Sequence, residues 1–266
     1  MNGWQALLGR ITFFLAPSSV IMPSAFELFR KLWNVEPKSY QGSLSPFSAS
    51  VAHGRSEDLS INCAVHPARI DLNLSAGGRG AIPGPQYNPG IQDGAQLSKE
   101  LKRLFEVIER NVLANPVLRV ALYLQFICFK KDWAEANSEL LTVVPDHYRV
   151  KLADEQEFSI QANKPCASKQ VENVKLNRIT KWSSDHITII AQKVESGQMG
   201  ELPSKEKPAA YDFFGASVLF DNNNVPIPTE RPLTSAEQSK LLLELFGYAL
   251  GSMKDFRLKI RGFDND

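Results

Sequence analysis

Leu118, Val120, Leu122, Leu124 and Phe126 occupy every second position of one uninterrupted run, and this alternation constrains the fold more than any other feature of the chain. Side chains along a strand point alternately to its two faces, so the run predicts a long strand with one apolar face. Other apolar residues recur at helical spacing. Leu97, Leu101, Leu104, Phe105, Ile108 and Val112 form one stripe over residues 96–115, with Asp93 placed to cap the helix. Leu241, Leu242, Leu245, Phe246, Ala249 and Met253 form another, opened by a Thr234/Glu237 capping box. Phe26, Phe29, Leu32 and Trp33 predict a helix over 24–35 that stops before Pro37.

Residues 11–15, 47–53 and 59–74 read as strands, the last two around a polar turn at 54–58. The first half thus has the order βαββαβ, a split-βαβ arrangement. In the second half a helix is expected over 132–144. Strands are expected over 148–152, 158–162, 174–182, 186–193 and 211–220. Ser183, Ser184 and Asp185 would make a hairpin turn between the third and fourth of these, and 221–224 a turn after the last. The expected class is α+β: two ferredoxin-like, split-βαβ-type halves with antiparallel sheets and packed amphipathic helices. They would span 1–129 and 130–266, or merge into one continuous domain.

The length, the opening strand–helix–hairpin, the central strand and the closing strand–turn–helix ending at Phe256 resemble a sporadically distributed bacterial family of unknown function. That family carries an Arg/Tyr-rich motif on its central strand. Residues 118–125 (LRVALYLQ) place Arg119 and Tyr123 in similar positions. The resemblance implies a bacterial protein and supplies no activity.

Residues 76–94, AGGRGAIPGPQYNPGIQDG, hold six of the sixteen glycines and three of the sixteen prolines. So long a connection is usually functional or mobile. Gly77, Gly78, Arg79 and Gly80 could meet an anion through backbone N–H groups and a guanidinium, and Tyr87 adds a ring. The run lacks the Gly-Lys-Ser/Thr ending of a Walker loop. Pro83, Pro85 and Pro89 forbid the direct passage into a helix that a dinucleotide fingerprint needs. It is read either as a mobile surface connection or as a loop that orders on a partner. No cofactor is expected.

A net charge of +1 argues against a surface that is one polyanion footprint. Three cysteines without motif spacing fit a reducing, cytoplasmic setting. Arg10, Pro17, Ser18 and Ser19 break the greasy run over 4–22, so neither a membrane span nor a signal peptide is expected. Cys63 and His66 have metal-like spacing, but residues three apart on a strand point to opposite faces, and no metal is expected. His53, near Glu57 and Asp58, is the candidate acid–base residue.

Residues 164–193 form the one local charge anomaly, with six basic residues against Glu172 and Asp185. Lys175, Asn177 and Lys181 share one face, with Leu176, Arg178 and Trp182 on the other. The cations could follow a phosphate backbone while Trp182 stacks on a base, or the lysines could guard a sheet edge. The first expectation for function is a non-enzymatic interaction or assembly protein with unknown protein partners, working through the Gly/Pro-rich loop and its β edges. The second is RNA or single-stranded nucleic-acid binding. Two ferredoxin-like halves with a glycine-rich loop are similar to CRISPR RNA endoribonucleases, a likeness that implies His53 as general base and Lys175, Arg178 and Lys181 as phosphate contacts.

Overall fold

In the computed structural model the alternating run is the middle of a ten-stranded antiparallel sheet. The structure describes residues 3–17, 22–43, 49–77, 90–91, 93–110, 113, 115–149, 157–191, 209–260 and 263, the side chains of 189–191 and 209–211 apart. In chain order the elements are β1 (Gln5–Leu15), α1 (Ala25–Trp33), β2 (Ser39–Gln41), β3 (Ser50–Ser56), β4 (Leu59–His66), β5 (Arg69–Ala76) and α2 (Gly94–Glu109). Then follow β6 (Val117–Lys130), α3 (Trp133–Val143), β7 (Ser159–Asn163), β8 (Cys166–Ala167), β9 (Lys175–Ala191), β10 (Ala209–Asn224) and α4 (Ser235–Asp255). The strand order is β2-β3-β4-β5-β1-β6-β10-β9-β7, with β8 also paired to β9. The fold is α+β. All pairings between named strands are antiparallel.

All four named helices pack on one face. Val120, Leu122, Leu124, Phe126 and Cys128 of β6 are buried beneath them. So are Ile11 and Phe13 of β1, Ile70, Leu72 and Leu74 of β5, and Val218 and Phe220 of β10. Two glycines let helices approach. A Cβ at Gly54 would lie 2.4 Å from the Phe29 ring of α1, and one at Gly9 would lie 2.9 Å from Leu97 of α2. Phe105 of α2 and Phe246 of α4 meet edge to face at 6.0 Å, and Trp133 of α3 meets Phe214 of β10 at 5.2 Å. The caps form as the sequence implies. Ser24 and Asp93 accept from the first-turn amides of α1 and α2, and Thr234 and Glu237 bond reciprocally at the start of α4.

Four local expectations are corrected. The expected strand 59–74 is two strands, because Pro67 and Ala68 form a tight hairpin between His66 and Arg69. Ser183, Ser184 and Asp185 do not turn; they continue β9 opposite Ser217, Ala216 and Gly215. Ser184 is fully buried there and bonds the backbone of Phe158 through both its N–H and its hydroxyl. Residues 221–224 extend β10 instead of ending it. Asn222 donates to the Leu245 carbonyl, and Asn224 accepts from the Val120 amide, so side chains that favour turns serve as buried ties. Tyr148, expected to open a strand, closes a 3₁₀ turn over Asp146–Tyr148.

The helix-free face as a candidate binding surface

The opposite face of the sheet carries no described helix. Strand registers lay its side chains out in transverse rows. One row runs Ser39, His53, Asn62, Asn73, Arg10, Tyr123, Asp221, Ile179 and Asn163, each directly opposite the next. It is polar for most of its length and linked by side chains. Asn62 Nδ2 donates to His53 Nδ1 at 2.9 Å, and Asn73 Nδ2 donates to Asn62 Oδ1 at 3.2 Å. The Arg10 guanidinium lies over the Tyr123 ring, 4.5 Å from its centre.

The neighbouring row holds Asp71, Thr12, Ala121, Asn223 and Asn177. Thr12 donates to Asp71 Oδ1 at 2.7 Å, and Asn177 donates to Asn223 at 3.2 Å. Asp71 is buried and also meets Arg69 Nε at 2.8 Å and His66 Nε2 at 3.4 Å. One row further, Phe14 faces Arg119, whose guanidinium covers the Phe14 ring at 4.7 Å. Two arginine–aromatic stacks therefore flank the Thr12/Ala121 pair on the two central strands. In each, the ring comes from one strand and the cation from the other.

Both arginines are half-buried, and the Nε of each is inaccessible to solvent with no hydrogen-bond acceptor. Neither has an ion-pair partner among the described residues. A buried N–H left unpaired costs about 1–3 kcal/mol, so these two donors stand out beside the bonded side chains of the two polar rows. The Tyr123 hydroxyl keeps its proton. Burial raises its pKa, Arg10 opposes the shift, and the carboxylates of Asp221 and Asp185 add to it. The centre of the face thus presents a phenol donor and two stacked guanidiniums.

The residues singled out from sequence fall in different places. His53 is exposed on the helix-free face, second in the polar row after Ser39, and bonded to Asn62. Glu57 does not join it; its carboxylate takes Gln96 and Lys99 of α2. Lys175 and Lys181 lie on the same face by register, but β9 is not an edge there, since Lys175 pairs with Ala167 and Lys181 with Gln161. The reading of these lysines as edge guards is therefore corrected. The base-stacking role of Trp182 is corrected as well. It is 1% exposed and packed between Tyr148 and Phe256 on the helical side, leaving no ring face for a base.

Arg178 also points to the helical side and stacks over Tyr248 of α4 at 4.6 Å. Its Nε donates to the Lys164 carbonyl at 3.1 Å. Gly77 ends the described part of β5's exit, its N–H bonded to the Asp58 carbonyl. Gly78, Arg79, Gly80 and Tyr87 lie outside the described residues. Cys63 sits in the helical core while His66 turns to the other face, as alternation requires. Among the described residues no group of three or more His, Cys, Asp or Glu side chains could hold a metal ion, and no helix is long and apolar enough to cross a membrane.

Sequence reasoning missed Arg10, Thr12 and Asp71. A signal for the first was present: Arg10-Ile11-Thr12-Phe13-Phe14 and Arg119-Val120-Ala121-Leu122-Tyr123 share the pattern arginine, aliphatic, small, apolar, aromatic. It becomes visible once the two strands are seen to pair with Thr12 opposite Ala121. No known protein family matches the chain, no curated protein is similar to it in sequence, and no solved structure matches its fold.

Proposed function

We propose that this chain is an interaction protein that docks a protein partner on the helix-free face of its sheet. The observation that carries this reading is the pair of stacked arginines at the middle of that face, neither with an ion-pair partner among the described residues. A side chain held flat against a ring loses little further freedom on binding, so such residues favour recognition over solvation. Half-buried apolar residues on the same face, Leu8, Phe14, Leu219 and Phe213, supply area that a partner would cover. Arg119 and Tyr123 stand here together with Arg10 and Phe14. The sheet edges offer less, because β2 has three residues and β7 five, and short edges resist pairing.

The test is affinity purification from the native host after nuclease treatment. The parent chain is compared with Arg10→Glu/Arg119→Glu and with Lys175→Glu/Lys181→Glu. The account expects captured proteins to be lost with the arginine pair and retained with the lysine pair. Capture that survives the arginine change overturns it. Capture abolished by nuclease and by the lysine change instead supports the nucleic-acid reading.

A further inference from the structure

We infer that the helix-free face recognises an extended, acidic segment of its partner polypeptide, with two carboxylates taken by Arg10 and Arg119. This rests on the docking reading above and adds the chemistry of the ligand. Arg10 and Arg119 lie on neighbouring antiparallel strands, each two residues from the Thr12/Ala121 pair and on opposite sides of it. Tyr123, opposite Arg10, is four residues from Arg119. At about 3.4 Å per residue and about 4.8 Å between strands, their Cα atoms are roughly 14 Å apart. In an extended peptide, side chains at positions i and i+4 point to the same side and are also roughly 14 Å apart. An acid–x–x–x–acid segment lying along β1 and β6 therefore meets both guanidiniums. Because the two arginines are related by a local two-fold at Thr12/Ala121, the segment fits in either direction.

Carboxylates suit this surface better than a phosphate backbone. A carboxylate accepts two parallel N–H bonds end-on from the two terminal nitrogens of one guanidinium, the part of each arginine that is not buried. One face of Tyr123 and one of Phe14 are already covered by arginine, so a base would have to displace the cation or use the remaining face. Asp221 and Asp185 share the face near Tyr123 and would repel a continuous polyanion, whereas two discrete acids avoid them. The half-buried apolar residues beside the arginines, Leu8 and Phe14 among them, match the side chains of a peptide and not a ribose–phosphate chain.

The experiment is selection of a random twelve-residue peptide library on the immobilised full chain, followed by titration of the enriched peptides. The same titrations are run on Arg10→Gln/Arg119→Gln and Arg10→Lys/Arg119→Lys, with circular dichroism showing that each variant is folded. Enriched peptides are expected to carry acids four residues apart. Replacing both acids by amides should weaken binding at least 30-fold, and the glutamine variant should lose a similar factor. The lysine variant keeps the charge but not the fork, and should recover only part of that loss. Peptides that bind the face through Arg10 and Arg119 without acid enrichment overturn this inference while leaving the docking reading intact. Enrichment that is equal on the parent and glutamine chains overturns both, as does the absence of any enriched peptide. A random twelve-nucleotide RNA that binds the parent more tightly than the peptides, and loses affinity in the glutamine variant, overturns the choice of a polypeptide.

Discussion

Arg10 shows how little a single residue reveals before its neighbours are known. In the sequence it interrupts a greasy run and argues only against a membrane span. In the sheet it faces Asn73 on one side and Tyr123 on the other, and its charge is held over a ring. Cys63 is the converse, a residue whose burial makes a measurable demand. Burial, and then the nearby Asp71 carboxylate, push its thiol from 9.0 up to about 12. The folded chain keeps this proton at a pH where the unfolded chain has lost it. The stability it contributes is complete below pH 9 and is lost as pH rises from about 9 to 12. Urea unfolding of the parent and of Cys63→Ala, in reductant at pH 7.5 and 10.5, should show the parent's advantage shrinking at the higher pH. Parallel losses in the two proteins would contradict that assignment.

At the scale of elements, periodicity and capping chemistry were legible where each element satisfies itself locally. The stripe on α4 and its Thr234/Glu237 box appear as read, and Thr234→Ala should cost about 1 kcal/mol in urea unfolding. Leu122 and Leu245 lie in the middle of apolar faces and are 1% and 0% exposed. Replacing either by Ala should cost roughly 2–5 kcal/mol, and a loss under about 0.5 kcal/mol at both would show the faces to be misassigned. The illegible elements were those decided by distant partners. Ser183, Ser184 and Asp185 carry turn propensity, yet β10 on one side and Phe158 on the other hold them extended. Asn222 and Asn224 likewise find acceptors and donors on α4 and β6 that no local window contains. Pro67 was the missed local signal, a hairpin marker inside what looked like one strand.

At the scale of the whole molecule, the alternation along each strand also explains why a site can exist. One face of the sheet meets the helices, and its polar rows stand on the other. The sequence showed that β6 has a polar side, but which polar side chains become neighbours depends on strand order and register, and these place His53, Asn62, Arg10 and Tyr123 in one row. The central claim is that this face is where a partner docks. Hydroxyl-radical footprinting of the complex recovered from the host, compared with the free chain, tests it most directly. Phe14 and Tyr123 should become protected while Tyr40 on the outermost strand and Leu243 on α4, 47% and 49% exposed, keep their reactivity. Protection of Tyr40 or Leu243 with Phe14 and Tyr123 unchanged would place the partner elsewhere and contradict the account.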